Sequence, residues 1–114
     1  MNFHSQICTT EEQSKRLLAL GLKRETADCV MMYYDGWHIG EAEHFDFDKD
    51  PVEPAWSLHR LLCLLPTEYI CDIDFQRIMQ DFIFRSQDMY DEAISCIETL
   101  IKEGYFNKEY LEHI

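Results

Sequence analysis

Hydrophobic side chains recur every three or four positions in three segments of the chain, which predicts three amphipathic helices. In the first segment Thr9 and Thr10 each have a glutamate or glutamine three residues later, so either can start a capping box, and Gly21 suits the left-handed position after a helix. A helix is therefore predicted over about residues 10–20. The connection at 23–29 is expected to contain a short helical turn capped by Thr26.

The second and third helices begin and end at comparable signals. Ser57 is a good N-cap and Pro66 stops the second helix, while Asp88 caps the third and Gly104 closes it. The apolar stripes are formed by Leu58, Leu61, Leu62 and Leu65 in the second helix and by Ala93, Ile94, Ile97, Leu100 and Ile101 in the third. The tail at 107–114 is predicted to form either a short strand or a frayed helical turn.

A β-hairpin is predicted between the first two helices. Strand-forming residues at 30–34 are followed at 35–36 by Asp-Gly, the pair that tolerates positive φ at both centres of a type I′ turn. Residues 37–39 would return as the partner strand. A third extended piece is expected at 44–47, where phenylalanine alternates with aspartate, and the segment 49–54 with its two prolines is expected to be a loop.

Residues 71–85 fit two different periods. Apolar and acidic side chains alternate from 71 to 75, which is typical of a strand with one buried face, and 82–85 would be its hairpin partner. A helix over 74–85 is the alternative, because the apolar residues in that range also fit a period of 3.6.

In order, these elements predict one α+β domain over residues 1–114, with about three helices packed on one face of a short antiparallel sheet built from hairpins. The length of 114 residues and the apolar fraction of 46% are sufficient for one hydrophobic core. An aromatic fraction of 13% argues against intrinsic disorder despite the large charge.

The net charge of −12 disfavours nucleic acid as a direct ligand, because such binding depends on Lys and Arg neutralising phosphates. Part of the acidic excess lies in 35–54, which contains one basic residue, Lys49, and seven acidic residues. The acidic residues are Asp35, Glu41, Glu43, Asp46, Asp48, Asp50 and Glu53. No stretch approaches the roughly 20 apolar residues that span a membrane. The expected partner is therefore an unidentified protein, either a basic one or a second copy of this chain.

The cysteines argue against a disulfide framework. Their number is odd and they contain no C-x-x-C pair; they are Cys8, Cys29, Cys63, Cys71 and Cys96. The start of the chain lacks both the basic flank and the apolar run of a secretory leader. A cytoplasmic protein with reduced thiols is the resulting expectation.

Three stretches form a combined pattern that covers most of the chain outside 67–87. They are T-E-E-Q-S and L-L-A-L-G-L at 10–22 with T-A-D at 26–28, P-A-W-S-L with L-L and L-L-P at 54–66, and A-I with L-I-K-E-G-Y at 93–105. Together they resemble a group of short acidic proteins of gut bacteria, often carried on prophage-like or mobile elements and without a known activity. The resemblance implies a small mixed fold and an origin on a mobile element.

Asp46, Asp48 and Asp50 alternate as do the first ligands of an EF-hand calcium loop. The rest of that motif is missing, because the sixth position is Pro51 instead of glycine and the twelfth is Ser57 instead of glutamate. A solvated acidic loop is the favoured interpretation.

Two further groups offer ligand atoms for a transition metal. His59 and Cys63 stand one helical turn apart, although Cys63 is expected to be a small buried core residue. The other group is interpreted as polar side chains on the outer face of the hairpin and consists of His38, Glu41, Glu43, His44 and Asp46. No catalytic, cofactor-binding or metal-binding residue, and no cofactor, is assigned from the sequence.

No motif of a nucleophilic or phosphate-binding enzyme is present, and the four glycines are explained as helix ends and hairpin residues. Four aromatic residues offer either an exposed contact patch or core packing, of which core packing is expected: Tyr33, Tyr34, Trp37 and Trp56.

The favoured function is a non-enzymatic accessory or protein-interaction protein. One alternative is an acidic inhibitor that mimics nucleic acid, with the carboxylates of 41–53 standing in for phosphates towards a basic host or phage protein. The other is a small hydrolase or metal-dependent enzyme whose catalytic groups are scattered along the sequence.

Overall fold

A computed structural model describes residues 6–33, 35–66, 72–85 and 88–112. In chain order the helices and strands are α1 (Glu11–Ala19), β1 (Cys29–Tyr33), β2 (Trp37–Glu41), β3 (Glu53–Ala55), α2 (Leu58–Cys63), α3 (Ile73–Arg85) and α4 (Met89–Glu103). The α+β class is confirmed, with four helices and one three-stranded antiparallel sheet in these ranges. None of the four helices has the length and apolar composition needed to cross a membrane.

The predicted ends of α1 and α4 are confirmed by their hydrogen bonds. The Thr10 hydroxyl accepts from the Gln13 amide at 3.1 Å, and the Gln13 side chain accepts from the Thr10 amide at 3.0 Å, which completes the capping box. Asp88 accepts from the first amides of α4, and Gly104 ends that helix with a φ of 81°. Local side-chain chemistry therefore sets both boundaries.

Replacing Thr10 by alanine is expected to lower the free energy of unfolding by about 1 kcal/mol, since the cap hydrogen bond is lost from an exposed helix start. Urea unfolding followed by circular dichroism measures the change. Thr10→Ser keeps the hydroxyl and is the matched control, expected to stay close to the wild type. An alanine variant as stable as the serine variant would contradict the role of this cap.

The predicted second hairpin is wrong, because residues 73–85 form the helix α3 and the helical alternative over 74–85 is confirmed. The helix packs along α4, placing Ile78 and Met79 against the main core and the Cys96 thiol 3.9 Å from the Met79 sulfur. The alternation covers only five residues and begins at Cys71, outside the described residues. The 3.6-residue pattern extends over more residues, and it places Ile78 and Met79 against the main core.

The sheet has the order β2-β1-β3, with β1 antiparallel to both neighbours. Asp35 and Gly36 have φ values of 52° and 117°, as the turn prediction requires. The pairing of Tyr33 with Trp37 makes the connection three residues long instead of two. This register sets Tyr33 and Trp37 directly opposite each other, on the same face of the sheet.

The third strand lies at a different place from the predicted one. Instead of a strand at 44–47, a short helical turn spans Ala42–His44, and Phe45 then covers Gly40, where an added Cβ would lie 2.9 Å from the Phe45 ring. The third strand is β3, in the segment expected to be a loop. Its Pro54 lies opposite Val30 in an edge strand, where a missing amide hydrogen is tolerated.

Trp56 links the sheet to the helical core. It is fully buried, and its indole N–H donates to the Thr26 hydroxyl at 3.0 Å. Thr26 is the last residue of the turn Arg24–Thr26 and donates to the Lys23 carbonyl, so the prediction that it caps this turn is wrong. The main core around Trp56 includes Leu17, Leu22, Leu61, Ile94, Ile97 and Leu100.

The tail combines both predicted forms. A short helical turn spans Lys108–Tyr110, and Leu111 then forms a single antiparallel bridge with Leu22. Residues 113–114 lie outside the described ranges.

Candidate functional site

One face of the hairpin carries three large apolar side chains in solvent. Tyr33, Trp37 and Ile39 point to the same side of the sheet because alternate strand positions share a face and Tyr33 lies opposite Trp37. Their exposed fractions are 70%, 52% and 49%. The prediction that these aromatic residues pack in the core is therefore wrong for Tyr33 and Trp37, correct for Trp56, and for Tyr34 falls outside the described residues.

The two exposed aromatic rings form a preorganised pair. The ring centroids of Tyr33 and Trp37 are 5.3 Å apart, and the planes meet at 68° in an edge-to-face arrangement. Such pairs gain about 0.5–1.5 kcal/mol beyond their burial, which restricts both rings before any partner arrives. The indole face and the flank of Ile39 are thus presented together along β2.

The same face leads from these rings to an acidic cleft. Glu41 lies opposite Cys29, and both line an open cleft of about 750 Å³ together with Glu25, Glu43 and Arg60. Tyr33 lies four positions after Cys29 along β1, which corresponds to about 14 Å at roughly 3.4 Å per position. An apolar surface and an acidic cleft therefore lie within the reach of one short extended peptide.

The carboxylate of Asp28 at the cleft has a structural role. It accepts from the Ser57 amide at 2.9 Å and from the Ser57 hydroxyl at 2.5 Å, which fixes the start of α2. Burial, and secondly the charge of Asp28, raises the pKa of the adjacent Cys29 thiol to about 11. Cys29 consequently keeps its proton at neutral pH and is a poor nucleophile.

The three alternating aspartates form a loop that binds its own backbone. The Asp46 side chain accepts from the Asp48 amide at 2.8 Å, and the Asp50 side chain accepts from the Asp46 amide at 2.7 Å. Asp48 pairs with Arg24, whose guanidinium lies over the Phe47 ring. This geometry agrees with the acidic-loop interpretation and gives each carboxylate a partner within the protein.

Of the five predicted ligand candidates in the hairpin, the structure brings together Glu41, Glu43 and His44, all exposed. The His44 ring lies 3.2 Å from the Glu41 carboxylate and 3.6 Å from that of Glu43. His38 and Asp46 do not belong to this group. The contacts are those of an exposed acidic cluster with a histidine, and we assign no ligand to it.

The second ligand pair differs from its prediction. Cys63 is exposed instead of buried, and its sulfur lies 3.5 Å from Nε2 of His59 on the preceding turn of α2. The buried residues of this helix region are Leu61 and Leu64. A helical-wheel projection would have predicted this exposure, because Cys63 is rotated by about 200° from Leu61 and lies on the opposite side of the helix.

The sequence missed the hairpin surface because alternation tells which residues share a face, and not which part of that face is covered. Met31 and Ala55 lie on the same face as Tyr33 and Trp37 but are buried beside Cys8, which is distant in the sequence. On the opposite face Phe45 covers Gly40. No protein-family model, curated protein or solved structure matches this chain. The resemblance to proteins of gut bacteria stays a prediction.

Proposed function

We propose that this chain is a non-enzymatic interaction protein that binds a basic segment of another protein along the exposed face of β2. The observation that carries the proposal is the row of Trp37, Ile39 and Glu41 at alternate positions of one strand, with Tyr33 beside it. Exposed aromatic residues that are held in place and bordered by charge are typical anchors of protein interfaces.

Charge complementarity favours a partner rich in Lys and Arg. The cleft beside the row is lined by four carboxylates, those of Glu25, Asp28, Glu41 and Glu43, and by the one guanidinium of Arg60. Asp28 is bonded to Ser57 and Glu25 lies 3.6 Å from Arg24, so Glu41 and Glu43 are the exposed acids beside the row. A lysine or arginine can stack on the Trp37 ring, while the next cationic side chain on an extended segment reaches the cleft. The net charge of −12 would further increase the rate of encounter with a basic protein.

The other interpretations receive less support. A nucleic-acid mimic would use the carboxylates of 41–53 in place of phosphates, yet Asp46 and Asp50 bind backbone amides of their own loop and Asp48 pairs with Arg24. Self-association through this face would bring together two copies that each carry −12. For an enzyme, the cleft offers Cys29, whose raised pKa makes it a weak nucleophile.

A photo-crosslinking amino acid at position 39 tests the proposal in cells that naturally produce the protein. It is expected to capture a Lys- and Arg-rich protein, because Ile39 lies at the centre of the row. The same amino acid at position 62 is the matched control, since Leu62 is also exposed but lies on α2. Mass spectrometry of the crosslinked bands identifies the partner.

Salt provides the second criterion. In cell extract, raising the ionic strength from about 0.1 M to about 1 M shortens the Debye length from about 10 Å to about 3 Å and should strongly reduce capture at position 39. Equal capture at positions 39 and 62, or capture only of a second copy of this chain, would overturn the proposal.

A further inference from the structure

Cys63 differs from the other described cysteines in its surroundings. Cys8 and Cys96 are buried and Cys29 is half-buried, whereas Cys63 is exposed at the end of α2. The four are free thiols. Access by a small reagent in solution is therefore open at Cys63 and restricted at the other three.

The protonation of the three shielded thiols reinforces this difference. Burial raises the pKa of the Cys8 thiol above its usual value, and it raises the pKa values of Cys29 and Cys96 to about 11. The thiolate is the form that attacks electrophiles and disulfides. At neutral pH these three cysteines are consequently protonated, and Cys8 and Cys96 are also buried.

Cys63 has a base within reach. Nε2 of His59 lies 3.5 Å from the Cys63 sulfur, and both residues project from the same side of α2 at i and i+4. The helix itself is anchored by the Ser57 cap and by the buried Leu61. The relative position of imidazole and thiol is thus set by a folded element, and not by two mobile side chains on separate loops.

We propose that Cys63 is a modification site at which low-molecular-weight disulfides form a mixed disulfide, with His59 accepting the thiol proton. The Cys63 sulfur attacks one sulfur of the disulfide, a new S–S bond forms, and the original S–S bond breaks. The other half of the small disulfide leaves as a thiolate and takes up a proton. Cys63 is oxidised and the departing thiol is the reduced product, so no other oxidant is required.

The modification site is separate from the proposed partner surface, because α2 contributes Arg60 to the cleft but neither His59 nor Cys63 lines it. His59 lies beside the thiol and is therefore the group that we expect to determine the rate.

Oxidised glutathione is the probe for the test, applied briefly to the native full-length protein before quenching in acid. Trypsin releases Cys63 within residues 61–77, a peptide that also contains Cys71. Fragment-ion sequencing separates the two sites, and Cys71→Ser provides a second sample in which no Cys71 thiol can resolve the mixed disulfide. Unfolded protein gives the reference rate for each cysteine.

Cys63 is expected to react at least about tenfold faster than Cys29 in the native chain. His59→Gln should slow Cys63 by about tenfold, below the roughly 100-fold that a fully positioned base supplies in enzymes. The control His44→Gln removes an exposed histidine elsewhere and should leave the rate unchanged. Equal rates at Cys63 and Cys29, or an unchanged Cys63 rate in His59→Gln, would overturn the proposal.

Discussion

Replacing Trp56 by alanine is expected to lower the free energy of unfolding by about 3–5 kcal/mol, the largest stability effect that we predict for one substitution. The side chain is fully buried where β3 meets the helical core, so its removal leaves a cavity between the two parts of the fold. It also removes the hydrogen bond from the indole N–H to Thr26. Urea unfolding monitored by circular dichroism measures the loss.

Two further variants separate the causes. Trp56→Phe keeps most of the apolar volume but removes the indole N–H, so a smaller loss of about 1–2 kcal/mol is expected. Trp37→Ala removes the same side chain from an exposed site and should change stability by about 1 kcal/mol or less, chiefly through the ring pair with Tyr33. Similar losses for Trp56→Ala and Trp37→Ala would contradict the assignment of Trp56 to the core.

Trp37→Ala is expected to have the largest effect on binding instead. A synthetic peptide in which arginine alternates with valine is a probe of the proposed partner chemistry, and its affinity should fall by about 30-fold, equivalent to about 2 kcal/mol. The reason is that Trp37 combines an exposed ring with a fixed orientation beside Tyr33. Fluorescence anisotropy of the labelled peptide measures the affinity without relying on tryptophan emission.

This experiment has one control in the protein and one in the peptide. Leu62→Ala removes an exposed apolar side chain from α2 and should leave the affinity unchanged. A peptide that alternates glutamate with valine should bind far more weakly, because the cleft beside β2 is acidic. Unaltered affinity of Trp37→Ala for the arginine peptide, with an intact fold, would argue against the hairpin face as the binding surface.

Sequence patterns predicted the features that depend on a few neighbouring residues. The Asp88 cap, the Gly104 terminus and the positive-φ pair after β1 all formed as expected, and the capping box formed at Thr10, one of its two candidates. Each involves groups within one turn of backbone, where side-chain hydrogen bonding and steric limits on φ act locally. These signals also determined the α+β class.

The candidate surfaces were less accessible to prediction. The leucine pattern of α2 correctly indicated an amphipathic helix, but it was interpreted with Cys63 on the buried side. Residue type does not distinguish the two tryptophans, yet Trp56 is fully buried and Trp37 is half exposed. Only contacts with distant segments distinguish these positions.

Local patterns in the amino-acid sequence were sufficient to predict the capped helices, the positive-φ residues between β1 and β2 and the acidic character of the chain. Contacts between distant segments make 73–85 a helix against α4 and place Pro54 in β3 at the edge of the sheet. Tertiary structure also left Trp37 and Ile39 in solvent. The physical reason is that local energies of competing conformations differ little, so the burial offered by distant segments selects among them.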